Sequence, residues 1–80
     1  MRVVAHENFK LDRNPITTTT RSTEDECIED CFGETKCFSI NVVIVSLEVT
    51  CELLKHDRFR ERESFVPDVG TKHLSIEVSI

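Results

Sequence analysis

Eighty residues make one domain, because a chain this short cannot divide its apolar residues between two cores and keep either stable. Fifteen Asp and Glu against ten Lys and Arg leave a net charge of −5, which repels phosphate backbones and excludes nucleic acid from the expected partners. Hydrophobic residues are 39% of the chain, with five Phe and neither Trp nor Tyr, so the core is thin and needs staples; four cysteines, all between Cys27 and Cys51, are the candidates.

An even cysteine count at this density is expected of an oxidising compartment, where small domains replace missing core with disulfides. The opening stretch MRVVAHENFKL has an apolar run of only Val3, Val4 and Ala5, short of a signal peptide's hydrophobic region. No stretch approaches the roughly 18 apolar residues of a membrane span, so membrane insertion is not expected. An extracellular or secreted protein without a signal peptide in this chain is expected to be a processed form, one module beside neighbouring modules of something longer, or the product of an incomplete gene model.

Val3 to Leu11 reads as a first strand, ending at the turn signal Asp12-Arg13-Asn14-Pro15. Ile16 and the β-branched Thr17 to Thr20 suit a short edge strand, and without interleaved proline the threonines make a poor O-glycosylated stalk. Asn8, Asn14 and Asn41 all lack the hydroxyl residue of a glycosylation sequon. Ser22 or Thr23 can cap a helix, since each has an acid three places on, and Glu24, Asp25 and Glu26 sit where the helix dipole favours them. Cys27 and Cys31 share one face of that helix with Ile28 and Phe32 alongside, while Glu29 and Asp30 are expected to point outward. Gly33 is expected to end it in a left-handed cap.

From Cys37 to Val45 the pattern becomes a strand, with Phe38, Ile40, Val42 and Ile44 on one face and Cys37, Ser39 and Asn41 on the other. Val43 and Val45 make its far end apolar on both faces, as in a central strand covered on two sides. Ser46-Leu47-Glu48 is a tight connection to a second strand from Val49 to Leu54. Lys55 to Ser64 is a charged segment and Pro67-Asp68-Val69-Gly70 a turn. Leu74, Ile76, Val78 and Ile80 alternate with Ser75, Glu77 and Ser79 as a half-buried last strand. There is no internal repeat.

Four cysteines allow three disulfide connectivities. Cys27 and Cys31, one helical turn apart with Cβ atoms facing the same way, are awkward partners for each other. Each is expected to reach a strand instead, Cys31 across the loop 33–36 to Cys37 and Cys27 to Cys51. Loop closure makes the shorter bridge worth on the order of 2 kcal/mol and the longer about 3 to 4. The competing reading, a structural zinc site with His56 or His73 as substitute ligands, meets the spacing C-x3-C-x5-C-x13-C, which lacks paired C-x2-C knuckles.

The segments STEDECIEDC, KCFSIN and CELL, in that order, resemble the signature of the PAN/apple domain family, a helix carrying two cysteines followed by two cysteine-bearing strands. The specific residues lie between Ser22 and Leu54. The resemblance implies an α+β fold over residues 1–80, an antiparallel sheet of about five strands with one helix packed across it. It also implies the pairings Cys31–Cys37 and Cys27–Cys51. Apple domains proper have a further disulfide joining the terminal strands; this chain has no cysteine near either end, so its termini rest on sheet pairing alone.

The resemblance implies a non-catalytic module that mediates protein–protein interaction or adhesion, with an extracellular protein or a glycan as partner. The residues offer no enzyme constellation: no nucleophile elbow, no HExxH, and with only Gly33 and Gly70 no phosphate-cradling loop. No cofactor is expected. The candidate binding surface is Lys55 to Glu63, where Lys55, Arg58, Arg60 and Arg62 could meet a sulfated glycan or an acidic partner and Phe59 could anchor it. Interleaved acids weaken its field, and such a run is commonly a solvated loop. His6, His56 and His73 are candidates for pH sensing.

Overall fold

The computed structural model describes residues 2–77, in which five antiparallel strands form one sheet with a single helix across it. The strands are β1 (Arg2–Leu11), β2 (Thr17–Arg21), β3 (Ser39–Val45), β4 (Glu48–Leu54) and β5 (Phe65–Glu77), and the helix is α1 (Glu24–Phe32). Their order across the sheet is β1-β5-β3-β4-β2, so the threonine-rich β2 is an edge strand and β3 is central, as their composition suggested. Val78 and Ile80, expected in the last strand, lie outside the described residues.

The helix begins as its sequence dictates. Thr23 is the N-cap, its hydroxyl accepts the Glu26 N–H, and the Glu26 carboxylate accepts the Thr23 N–H in return. Cys27 and Cys31 face the sheet and are joined to Cys51 on β4 and to Cys37 just before β3. Around these bridges Ile40, Val42, Leu53 and Leu74 are fully or almost fully buried, with Ile28, Val49 and Ile76 at the margin.

Several expectations for this face need correction. Gly33 is right-handed (φ −80°): its N–H bonds Glu29 O and the Glu34 N–H bonds Cys31 O, so the disulfide to Cys37, not a left-handed residue, turns the chain. Phe32 is exposed, because the two bridges hold the face centred on Cys27 and Cys31 against the sheet and leave the last residue of the helix at its rim. Asp30 does not point outward; Thr19 and Arg21 of β2 both bond its carboxylate. Phe38 and Ile44 on this face are also exposed, as is Val45 on the other. A helix of nine residues is only about 13 Å long, so it covers Ile40 and Val42 but neither end of the strand.

The opposite face is covered by the chain itself. Phe65 and His73 are eight positions apart, which in a straight strand means about 26 Å, yet their ring centres are 5.3 Å apart. The β1–β5 ribbon therefore doubles back. It does so where its register breaks, between Glu7 opposite Lys72 and Phe9 opposite Pro67. Asn8 (φ 61°) and Gly70 (φ 92°) take the positive φ values that the reversal requires. The residues expected to form a turn, Pro67 to Gly70, thus lie within β5 and form its bend. The same break shifts the side-chain alternation, so that His6, Phe9 and Leu11 all share this face.

Leu11 thereby comes to rest on Asn41 of β3: its N–H donates to Asn41 Oδ1 at 2.9 Å and its carbonyl accepts from Asn41 Nδ2 at 2.8 Å. Ser39, expected on the face away from Ile40 and Val42, and Ser75, expected on the polar side of a half-buried strand, are both buried beneath this cover.

Candidate functional site

The charged segment after β4 is fastened to the ribbon face at both ends. The Ser39 hydroxyl donates to the His56 carbonyl, and the Asp12 N–H donates to the Ser64 carbonyl. Between these points Asp57 Oδ1 accepts the N–H groups of Phe59 and Arg60, which curls the chain, and Arg62–Ser64 form a 3-10 turn.

This folding separates the five residues Lys55, Arg58, Phe59, Arg60 and Arg62. Arg58 turns inward, where its guanidinium donates to Ser75 Oγ at 3.2 Å and Glu77 Oε2 at 3.0 Å and lies 4.1 Å from the centre of the Phe59 ring. Burial raises the Glu77 pKa, but the bonds from Arg2 and Arg58 outweigh it and hold the carboxyl below its usual range. Arg58 is thus a support beneath Phe59 rather than a free contact. Arg62 is exposed and borders neither the concavity at Phe59 nor the one at Lys55.

Phe59 and Arg60 do come together, in a concavity of about 520 Å³ with Phe38, Asp57, Ser75, Ile76 and Glu77. It lies at the end of the sheet where β3 begins and β5 ends. Its two rings are 53% and 58% exposed, for Phe38 and Phe59 respectively. Phe38 escaped the sequence reading because its alternation with Ile40 assigned it to the core; its position one residue outside β3 is the signal that it could reach a surface.

Lys55 belongs to a different place. With Arg13, Lys36, His56, Asn14, Pro15 and Ile16 it lines a concavity of about 470 Å³ between the β1–β2 connection and the loop closed by Cys31–Cys37. Glu61 pairs with both Arg13 and His56, while Lys36 and Lys55 make no ion pair among the described residues. The three cations come from distant parts of the chain, so no linear run marks this site.

All four cysteines are in disulfides, which leaves no thiolate for a metal or a nucleophile. Among the described residues no three His, Cys, Asp or Glu are placed to share an ion, and no helix is long and apolar enough to cross a membrane. Of the three histidines, His56 is at the surface beside Glu61, whereas His6 and His73 face each other across β1 and β5. Two disulfides fit a protein of the cell exterior or another oxidising compartment. No family model, no curated protein and no solved structure matches the chain.

Proposed function

We propose that this chain is a non-catalytic extracellular binding module of PAN/apple type, mediating protein–protein contact or adhesion through the concavity around Phe38 and Phe59. The observation that carries this reading is the exposure of two of the five phenylalanines in one concavity, which Ile76, Asp57, Arg60 and Glu77 also line. Aromatic rings in a shallow depression with a polar rim are what a protein interface uses as anchors. Arg58, stacked under Phe59 and tied to Glu77, fixes the ring in place and lowers the entropy lost on binding. The family reading is supported by the order of helix and strands and by the two pairings, Cys27 with Cys51 and Cys31 with Cys37.

A photo-crosslinking amino acid in place of Phe59 tests this role. Covalent capture of a discrete protein on the cell surface is expected, with loss of capture when Phe38 is changed to Ser. Capture unaffected by that change would remove the concavity from the interface.

A second reading, binding of a sulfated glycan, is favoured by the convergence of Arg13, Lys36 and Lys55. Retention on heparin at low salt should then fall in a Lys36→Glu, Lys55→Glu variant and stay unchanged in an Arg60→Glu, Arg62→Glu variant. A wild-type chain that passes heparin unretained at low salt eliminates the glycan.

A further inference from the structure

The end of the sheet opposite Phe38 and Phe59 carries two chain reversals, and both expose aliphatic side chains. The β3–β4 connection is the two-residue loop Ser46-Leu47, with Val45 paired to Glu48 on either side. The second reversal is the bend of β5 at Asp68 to Gly70. Thr71 is the first β5 residue paired with β3, opposite Val43, so Val69 just before it lies at the same end of the sheet as Val45. Ile44 is 54% exposed, Val45 57%, Leu47 91% and Val69 91%.

Chain reversals ordinarily take Asn, Asp, Gly or Ser, because these residues tolerate positive φ and keep the tip wet. Here Ser46 bears the positive φ (56°) and Leu47 stands beside it in water, so the loop gains nothing for folding from its apolar residue. Four exposed aliphatics at one end of a sheet, on a chain with so thin a core, mark an end of the molecule that is covered in use.

The charges around it select the cover. Glu7, Glu24, Glu48 and Asp68 lie on the elements that meet at this end, together with two cations. Both cations are already engaged: Lys72 is held by Glu24 at 2.7 Å and Glu7 at 3.3 Å, and Arg21 by Asp30 at 2.8 Å. The acids outnumber them, and Glu48 and Asp68 make no ion pair among the described residues, so the rim is acidic. A second copy would bring one acidic rim against another, and an anionic bilayer would be repelled.

We infer that Ile44, Val45, Leu47 and Val69 form a second interaction surface, one that enters an apolar pocket rimmed by Lys or Arg on a partner protein. The two surfaces sit at opposite ends of the sheet, so the module can hold two proteins at once.

The test is panning of a phage-displayed random-peptide library against the oxidised 80-residue chain, with a Leu47→Asn, Val69→Asn variant and a Phe59→Ala variant for comparison. All three are first shown to share one circular dichroism spectrum and to resist iodoacetamide. Both Asn substitutions fall on exposed positions and leave the core untouched. Selected peptides should share aliphatic residues flanked by Lys or Arg, and should bind the double variant about tenfold or more weakly. They should also weaken with added salt and bind the Phe59→Ala variant as they bind wild type. Peptides lacking basic flanks, peptides indifferent to the double variant, or no selected peptide at all would overturn the inference. Peptides lost with Phe59→Ala would instead place recognition in the aromatic concavity. A concentration-dependent dimer in sedimentation that the double variant dissolves would assign the surface to a second copy. Partition onto phosphatidylcholine vesicles, lost in the same variant, would assign it to a bilayer.

Discussion

On one face of the sheet Ile40, Val42, Leu53 and Leu74 pack against a helix that two disulfides hold in place; on the other, the same strands bury Ser39, Asn41, His73 and Ser75 beneath a folded ribbon. The helix face combines non-directional apolar contact with covalent closure, so its residues contribute nearly independently. The ribbon face depends on directional bonds converging on Asn41, which binds Leu11 twice, lies 2.8 Å through Oδ1 from His73 Nδ1, and donates from Nδ2 to Glu52 Oε1 at 3.2 Å. Because the Leu11 N–H already commits Asn41 Oδ1 as an acceptor, His73 must carry its proton on Nδ1. That leaves His73 Nε2 bare and, like His6 Nε2, buried without a partner among the described residues. A network of this kind is strong when complete and costly when any member is lost.

The largest expected effect is on the helix face. Bridges separated by 24 and 6 residues contribute about 3 to 4 and about 2 kcal/mol by loop closure, against a total of about 5 to 10 kcal/mol for a small domain. Reduction of both is expected to abolish the helical signal in circular dichroism at room temperature, and iodoacetamide is expected to label the chain only after reduction. A reduced chain that keeps its native spectrum would assign most of the stability to the ribbon instead. Next comes Asn41→Ala, which strands the Leu11 N–H and carbonyl and the His73 Nδ1–H in a dry setting, at about 3 kcal/mol or more. Its neighbour Val42→Ala, on the helix face, removes two methyl groups for about 2 kcal/mol. Urea denaturation of the two variants decides between the faces: a smaller loss for Asn41 than for Val42 would mean that apolar contact holds both.

How far each face can be read from sequence follows from the same chemistry. The helix start, the edge position of the threonine strand and the centrality of β3 follow from a cap or a propensity, and helical phase removes the Cys27–Cys31 pairing, leaving the short loop 33–36 and the family resemblance to point to the two bridges. The ribbon face depends on contacts between positions far apart, Leu11 with Asn41 and Phe65 with His73, and on a register break that alternation does not announce. Pro67 to Gly70 carried the turn signal correctly in composition, but a reversal inside a continuous strand pair has the same local signature as a loop between two strands. The candidate site fared likewise. The Lys55 to Glu63 run was visible as a string of charges, yet which of them face solvent was decided by Ser39, Ser75 and Glu77, distant residues that draw the segment down and Arg58 with it.

Acid should separate the faces as well. Burial, then the neighbouring His6 and Arg58, push His73 down to about 4 from 6.5, and burial with Arg58 lowers His6 in the same direction against a weaker opposing pull from Glu77. The unfolded chain takes up the His73 proton near pH 6.5 and the folded chain only near pH 4, so protons favour the unfolded state throughout that interval. Stability is full above pH 6.5 and is lost as pH falls toward 4, by about 3 kcal/mol at roughly 1.4 kcal/mol per pH unit. Asp30 behaves differently: its bonds from Arg21 hold it below 3.8, so its contribution, present above that value, is lost only at still lower pH. Thermal melts between pH 7 and pH 4.5 should fall steeply for wild type and clearly less for His73→Phe, in which His6 is the remaining lowered histidine. An equal slope in both would move the acid sensitivity off the ribbon face.

The smallest effect sharpens the comparison most, because it touches no contact. A methyl group at Gly70 would meet no atom within 4 Å, so the space for alanine exists; its φ of 92° does not suit an L residue. Gly70→Ala should therefore cost about 1 to 2 kcal/mol through the backbone alone, which in a domain of this size lowers the melting temperature by about 5 to 15 °C. The loss is expected to be local to the ribbon. Amide exchange at Leu11, which reports the Asn41 contact, should accelerate, while exchange within the disulfide-tethered helix should follow only the global stability. If both faces loosen equally, the bend at Gly70 is not an independent hinge, and the two faces form one cooperative unit despite the difference in what holds them.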